Sequence, residues 1–273
     1  MNVKNRAGRR PPLPPAAAGM FPEERRREIM TILDHNGRGL VVDLARRLDV
    51  SEVTIRQDLD ALERKGLLRR THGGAIPEAK IGLERPFQLQ ETERREEKER
   101  IAQAAVDLLA SGDTVIFDVG TTLTEAARKL VASGKAPTVF TNGLNIAAIL
   151  EGNPEITTIV TGGTLRPLQH SLVNPMAEFV LSRINADIAF LGANGVETRR
   201  GVTNVNVPEA EMKGLFIKAA RRRVVLADAS KIGKVALTKI ADLDEIDLLI
   251  TDRSADEAEV AALQKRGLEV RLV

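Results

Sequence analysis

Apolar positions along this chain keep two rhythms. Between Leu40 and Ala75 the spacing is helical: Val41, Leu44, Ala45 and Leu48 recur at i, i+3, i+4 and i+7, one face of a helix. Asp49-Val50 interrupts the pattern, and Ser51 is a good N-cap for a second helix lined by Ile55, Leu59 and Leu62 and stopped by Gly66. An earlier helix is expected from Pro22, with Glu23 and Glu24 in its first turn and Ile29, Ile32 and Leu33 on one face, ending at Asn36-Gly37. Past Gly66, Leu67 to Thr71 and Ala75-Ile76 flank His72-Gly73-Gly74, a β-hairpin signature.

Farther on the rhythm changes. A helix is expected from Glu97 to Leu109, with Ile101, Ala104, Ala105 and Leu108 on its apolar stripe. Short aliphatic runs then alternate with helical stretches: Thr114 to Phe117, Thr138 to Phe140, Thr158 to Val160, Ile188 to Leu191, Val224 to Leu226 and Leu248 to Ile250. Continuous apolar runs of that length are strands buried on both faces, so the fold class is α/β, a mainly parallel sheet with helices on both sides.

Each rhythm carries its own chemistry. Two helices about a tight turn followed by a hairpin make a winged helix-turn-helix, whose second helix offers its first residues, here Thr54, Arg56 and Gln57, to the DNA major groove. An ordinary helical hairpin is the plainer alternative, but the turn, the cap and the basic hairpin all agree. Arg69, Arg70 and His72 place positive charge on the wing, where it would meet phosphate. In parallel sheets ligands bind beyond the carboxyl ends of the strands, and here those ends collect polar residues. Gly120-Thr121-Thr122 opens a helix with free N–H groups and hydroxyls, which suits an anion; Gly162-Gly163 permits a second close backbone approach. Lys213 and Lys231 supply charge, while Asp118, Asn142 and Asn194 can hydrogen-bond hydroxyls, which together describe a small phosphorylated polyol. No GxxxxGK[ST] spacing is present, so this is not a nucleotide-binding Walker loop.

Composition sharpens this division. The 273 residues suffice for a basic, Pro-rich arm over 1–19, a DNA-reading domain over 20–77 with its helix-turn-helix at 40–59, a polar linker over 78–96 and a ligand domain over 97–273. Met20 precedes what looks like a natural domain start, an expectation that the intact mass of natively expressed protein would settle. Residues 1–77 hold 15 Lys+Arg against 10 Asp+Glu, the remainder 25 against 28, so positive charge gathers where phosphate neutralisation would use it. Cysteine is absent, which excludes disulfides and thiolate metal sites and fits a cytoplasmic protein; His35, His72 and His170 lack metal-ligand spacing. No apolar run reaches the roughly 18 residues of a membrane span.

Order and spacing of the motifs carry a resemblance over nearly the whole chain from about Met20. VSEVTIRQDLDALERKGLLRRTHGGA in the first domain, and FDVGTT, TNGLNIA, TGGTLRP, FLGANGV and DASK in the second, resemble the DeoR family of bacterial transcription regulators. The resemblance implies a winged helix-turn-helix joined to a sensor domain similar in fold to ribose-5-phosphate isomerase. It further implies a homo-oligomer, dimer or tetramer, that represses a sugar-catabolic operon on double-stranded operator DNA and is released by a phosphorylated sugar, without cofactor. By matching motif, the DNA-reading positions are Ser51, Thr54, Arg56 and Gln57, with the wing at Arg69, Arg70 and His72. The sensor positions are Asp118, Gly120, Thr121, Thr122, Asn142, Gly162, Gly163, Asn194, Gly195, Lys213, Asp228 and Lys231, with Glu209 and Glu211 as neighbours. Many members read TIRRDL where this chain has Gln57, and Gln prefers adenine where Arg prefers guanine, so operator sequence does not transfer. Asn174 stands where Gly is common. The TNGLNIA pattern and the neutral residue at 57 resemble the repressor of N-acetylgalactosamine use, which points to an amino-sugar or hexose phosphate.

Two rival functions are a sugar-phosphate isomerase with a DNA-binding appendage and a ligand-independent DNA-binding activator. Isomerisation needs a positioned carboxylate base. Gly192-Ala193-Asn194-Gly195 contains none, and nothing in the sequence orients Asp118 or Glu211 for that role.

Overall fold

The computed structural model describes residues 20–36, 38–64, 67–77, 84 and 86–273. The arm expected over 1–19 and the helix stop expected at Gly66 lie outside the described residues. The chain forms two compact units, Met1–Lys80 and Ile81–Val273.

In the first unit α1 (Pro22–Asn36), α2 (Val41–Leu48) and α3 (Glu52–Arg64) enclose a small core with Ile29, Leu33, Leu44, Ile55 and Leu59 fully or almost fully buried. The periodic positions read from the sequence are the ones that meet there. Asp49 ends α2 in the left-handed conformation (φ 52°), its N–H donating to the Ala45 carbonyl, and this single residue turns the chain towards α3. The hairpin forms as β2 (Leu68–Thr71) and β3 (Gly74–Pro77), pairing Arg70 with Ala75. A third strand, β1 (Gly39–Leu40), joins β3; at two residues it was too short for any periodicity to show.

The second unit begins earlier than its apolar rhythm suggests. Within the stretch expected as a linker, α4 (Phe87–Glu91) already packs, with Phe87 buried, and α5 (Arg95–Val106) starts two residues early. Its buried face is Lys98, Ile101, Ala102, Ala105 and Val106, whereas Ala104 and Leu108 stay partly exposed.

A parallel sheet of seven strands follows. Its members are β4 (Thr114–Phe117), β5 (Thr138–Thr141), β6 (Thr157–Val160), β9 (Ala186–Gly192), β12 (Ala220–Leu226), β14 (Leu248–Thr251) and β15 (Glu269–Leu272), in the order β15-β14-β12-β9-β4-β5-β6. On one face α5, α6 (Thr121–Ala132) and α7 (Leu144–Leu150) cover Val115, Phe117, Phe190 and Val224; Phe117 and Phe190 meet edge-on, centroids 5.4 Å apart. On the other, α8 (Met176–Leu181), α9 (Val207–Ala219) and α10 (Glu257–Lys265) cover Ile116, Ala189, Leu191 and Val225. Alternate residues of one strand thus feed opposite cores, which is why the runs read as uniformly apolar. Two small antiparallel additions decorate this frame: the ribbon β7 (Thr164–Arg166) with β8 (Ser171–Val173), and the sheet β10 (Gly195–Glu197), β11 (Gly201–Asn204) and β13 (Thr238–Ala241). The Asn174-Pro175 peptide bond is cis. Among the described residues no helix is long and apolar enough to cross a membrane.

Candidate functional site

At the start of α3 the Ser51 hydroxyl accepts the Thr54 N–H at 3.1 Å, fixing the helix entry, and Ser51 Oγ lies 2.9 Å from Thr54 Oγ1. Ile55, Asp58 and Leu59 turn into the core, so Arg56 and Gln57 are left on the open face. Arg56 pairs with Glu52 at 2.6 Å, but both side chains are about half exposed and such a pair holds weakly against a phosphate or a base. Val53, 60% exposed beside them, adds an apolar group of the kind that meets a thymine methyl. Sequence periodicity gave no reason to single it out.

The wing divides its three basic residues. Arg69 and His72 are exposed. Arg70, expected beside them, folds back on α3, where its guanidinium bonds the Asp60 carboxylate and the Arg56 carbonyl while its N–H donates to Glu63 at 2.7 Å. Arg70 is therefore a strut between wing and helix rather than a free phosphate donor. Another strut was invisible in the sequence: buried Asp58 accepts from Arg25 Nε at 2.5 Å and Arg26 Nε at 2.8 Å, tying α1 to α3.

In the second unit the carboxyl edge of the sheet presents, strand by strand, Asp252, Asp228, Gly192, Asp118, Asn142 and Thr161. Asp118 is 1% exposed and forms a buried ion pair with Lys213 of α9, while Gly192 N–H donates to the same carboxylate oxygen at 2.9 Å. Burial pushes the Asp118 carboxyl above the usual carboxylate range; the Lys213 ammonium and the Gly192 N–H pull against it. Lys213 is thus occupied, and charge for an anion must come from elsewhere on the edge.

Gly120, at φ 135°, adopts a backbone that L side chains rarely reach, and so brings Thr121 and Thr122 to the N-terminus of α6. Gly163, at φ 127°, lies against β8, where a Cβ would stand 2.2 Å from the Val173 carbonyl oxygen; Gly162 is left-handed too. Asn142 is fully buried; its amide donates to the Leu172 carbonyl at 3.1 Å, and its Oδ1 has no hydrogen-bond partner among the described residues. Asp228 opens the turn Ala229–Lys231, accepting the Ser230 N–H at 2.9 Å, with Arg94 Nε 3.6 Å away.

Not every expected sensor position joins this edge. Glu211 is exposed on the far side of α9, where with Val207, Lys218, Thr238 and Glu245 it lines a separate groove. The reason is helical spacing: Glu209 and Lys213, four apart, share the buried face that Glu211 cannot share. Asn194 uses its side-chain oxygen to accept the Val205 N–H at 3.1 Å, and Gly195 is a packing position, a Cβ there lying 2.3 Å from the Lys234 carbonyl oxygen. The sequence in turn passed over Lys98, 4% exposed, whose ammonium donates to the Gln90 carbonyl and feels both Asp228 and Lys231; burial holds its pKa below the usual lysine range. Among the described residues no group of three His, Asp or Glu side chains is placed to hold a metal ion.

Comparison with known proteins places both units. Residues 25–79 match the DeoR-like helix-turn-helix domain and residues 93–253 the DeoR C terminal sensor domain. The HTH-type transcriptional regulator GlpR of Haloferax volcanii is 41% identical over 253 residues, covering 92% of this chain and 98% of its own. A putative aga operon transcriptional repressor of Escherichia coli O157:H7 is 35% identical over 256 residues, covering 92% and 93%. Among solved structures, ribose 5-phosphate isomerase A of Methanocaldococcus jannaschii aligns with 51% of this chain and 55% of its own at 19% identity and TM-score 0.39, a likeness that says nothing of activity.

Proposed function

The chain belongs to the DeoR family of DNA-binding transcriptional regulators, and from that premise we propose that it represses a sugar-catabolic operon in the cytoplasm, as a homo-oligomer released by a phosphorylated sugar. Regulation rather than catalysis is the business of this family and of its relatives. The name of the aga operon relative, a transcriptional repressor, supports repression; an amino-sugar or hexose phosphate is the effector class that the TNGLNIA pattern suggests.

For the DNA half, Arg56 and Gln57 read base edges from the open face of α3, Ser51 and Thr54 set the helix on the backbone, and Arg69 and His72 meet phosphate beside it. For the sensor half, the phosphate sits at the N-terminus of α6, on Gly120, Thr121 and Thr122, with Lys231 supplying charge from the turn after β12 and Gly162-Gly163 giving backbone access. Asn142, Asp118 and Asp228 face the sugar hydroxyls. The observation that carries the sensor reading is Asn142 Oδ1, a fully buried acceptor without a partner among the described residues, at the very edge where parallel sheets bind ligands. A hydroxyl donor satisfies it.

Thermal unfolding in the presence of hexose and amino-sugar phosphates tests this. A ligand at 100 times its Kd stabilises by about 2.7 kcal/mol, a readily measured rise in melting temperature. The parent sugars without phosphate are expected to give no rise. Equal stabilisation by sugars with and without phosphate would remove the α6 site from the account.

A further inference from the structure

Arg166, from the TGGTLRP motif, has no part in the reading above, yet it is among the most heavily engaged side chains in the second unit. Its guanidinium forks between two carboxylates. Nη1 is shared between Glu209 and, at 3.1 Å, Glu84 Oε1, while Nη2 bonds the other Glu84 oxygen. Glu209 is buried on α9, one turn before Lys213, and also accepts the Ser171 hydroxyl at 2.7 Å and the Asn204 amide at 3.4 Å. Arg166 and Ser171 are partners across the β7–β8 ribbon.

The ribbon is fastened at both ends. Towards the sheet edge, Leu172 N–H donates to the Asn142 carbonyl at 2.8 Å, the Asn142 amide returns a bond to Leu172, and Leu144 N–H donates to the His170 carbonyl at 3.0 Å. Towards the start of the unit, Phe87 N–H donates to the Leu168 carbonyl at 3.1 Å and the Phe87 ring meets His170 edge-on with centroids 5.4 Å apart. Thus Asn142 and Glu209, whose charge Asp118 feels, hold one side of the ribbon, while Glu84 and Phe87, early in this unit, hold the other.

We infer that the β7–β8 ribbon couples effector occupancy to DNA affinity, with Arg166 as its positioning residue: ligand at the sheet edge shifts the ribbon through Asn142 and Glu209, and Arg166 passes the shift to Glu84. This rests on the sensor reading above. A guanidinium shared between two carboxylates suits the task, because it is a rigid plane and Nη1 cannot follow Glu209 without moving the two-point contact with Glu84.

The test uses the full chain, a duplex recovered by selection from random-sequence DNA, and as probes glucose 6-phosphate, fructose 6-phosphate and N-acetylgalactosamine 6-phosphate. In the unaltered chain the probe that raises the melting temperature is expected to lower duplex affinity by about 5- to 150-fold, the usual span of allosteric coupling. Glu84→Gln and Arg166→Lys are expected to bind the duplex and to keep the rise in melting temperature with probe, while the probe-induced fall in duplex affinity shrinks to within about twofold. A merely structural role would lower the melting temperature and leave that ratio intact. An undiminished fall in both variants overturns the inference, as does loss of the probe's stabilising effect, which would make the ribbon part of the ligand site. Failure of every probe to stabilise the unaltered chain removes the sensor reading itself, and the coupling with it.

Discussion

Arg56 and Gln57 are neighbours with opposite prospects. Arg56 already has a carboxylate within reach at 2.6 Å, so its charge is held at the helix start and DNA only has to outbid an exposed pair. Arg56→Ala is expected to weaken binding of the selected duplex strongly and to relax base preference at the position it reads, as repeated selection from random-sequence DNA would show. Gln57 carries no charge and faces outward; replacing it by Arg exchanges an adenine-matching amide for a guanine-matching fork, each worth about 1–3 kcal/mol of discrimination. Sequences selected by Gln57→Arg should therefore differ from the parent's at one position, and an unchanged set would show that residue 57 reads no base. Asp58, the next residue along, does structural work instead. Asp58→Ala leaves Arg25 and Arg26 without their shared carboxylate and is expected to lower the stability of the first unit by about 2–4 kcal/mol, less than a fully sealed pair would lose because Arg26 can turn to water. Urea unfolding followed on that unit measures it. Gln57 could be picked out from its neighbours in the chain; Asp58 could not, since its partners lie 32 and 33 residues away and no local pattern records them.

At the scale of elements, legibility follows what each strand touches. β4, β14 and the later residues of β9 and β12 are buried on both faces, so the apolar runs VIF, IAFL, VVL and LLI announce them, although β12 itself starts earlier, with three exposed or half-buried arginines. The edge strand β15, EVRL, is only half-buried and carries charge at alternate positions, so it lacks the continuous apolar run that marks the inner strands. The ribbon and the β10-β11-β13 sheet were missed for another reason: strands of three or four residues held by glycine close approach leave no period to detect. Site residues show the same division, since strand ends were readable while the burial of Lys98 by α4 and α5 was not. One inter-strand fastening has a pH signature. Arg223 on β12 grips Asp247, just before β14, with two bonds of 2.8 Å, and this holds the Asp247 carboxyl below the usual carboxylate range against a smaller push from burial. A depressed folded pKa means that the stabilisation is fully present above the unfolded value and is lost as pH falls through the folded one. Melting temperatures taken downwards from about pH 5 should therefore fall less steeply for Asp247→Asn than for the unaltered chain, with the difference confined below about pH 4. Parallel curves in that window would mean that the pair contributes nothing.

For the whole molecule, the consequence of joining a DNA reader to a sensor is thermodynamic before it is structural. If a sugar phosphate lowers operator affinity by some factor, operator must lower sugar-phosphate affinity by the same factor, whatever path connects them. The two limbs can be measured independently: duplex titrations with and without saturating sugar phosphate, and sugar-phosphate titrations with and without saturating duplex. Equal factors are expected. The charge layout adds a control, because the excess of positive charge lies in residues 1–77 and not in the remainder. Raising salt should thus weaken duplex binding steeply while leaving the coupling factor nearly unchanged, since on the proposed sites the phosphates of the duplex and the phosphate of the sugar meet different units. A coupling factor that collapsed with salt in step with duplex affinity would point instead to the sugar phosphate competing for the basic DNA-reading face. In that case the two ligands would exclude each other outright, the apparent weakening would grow without limit as sugar phosphate was raised, and the sheet edge would lose its role. A plateau at high sugar phosphate is the result that keeps the two sites distinct.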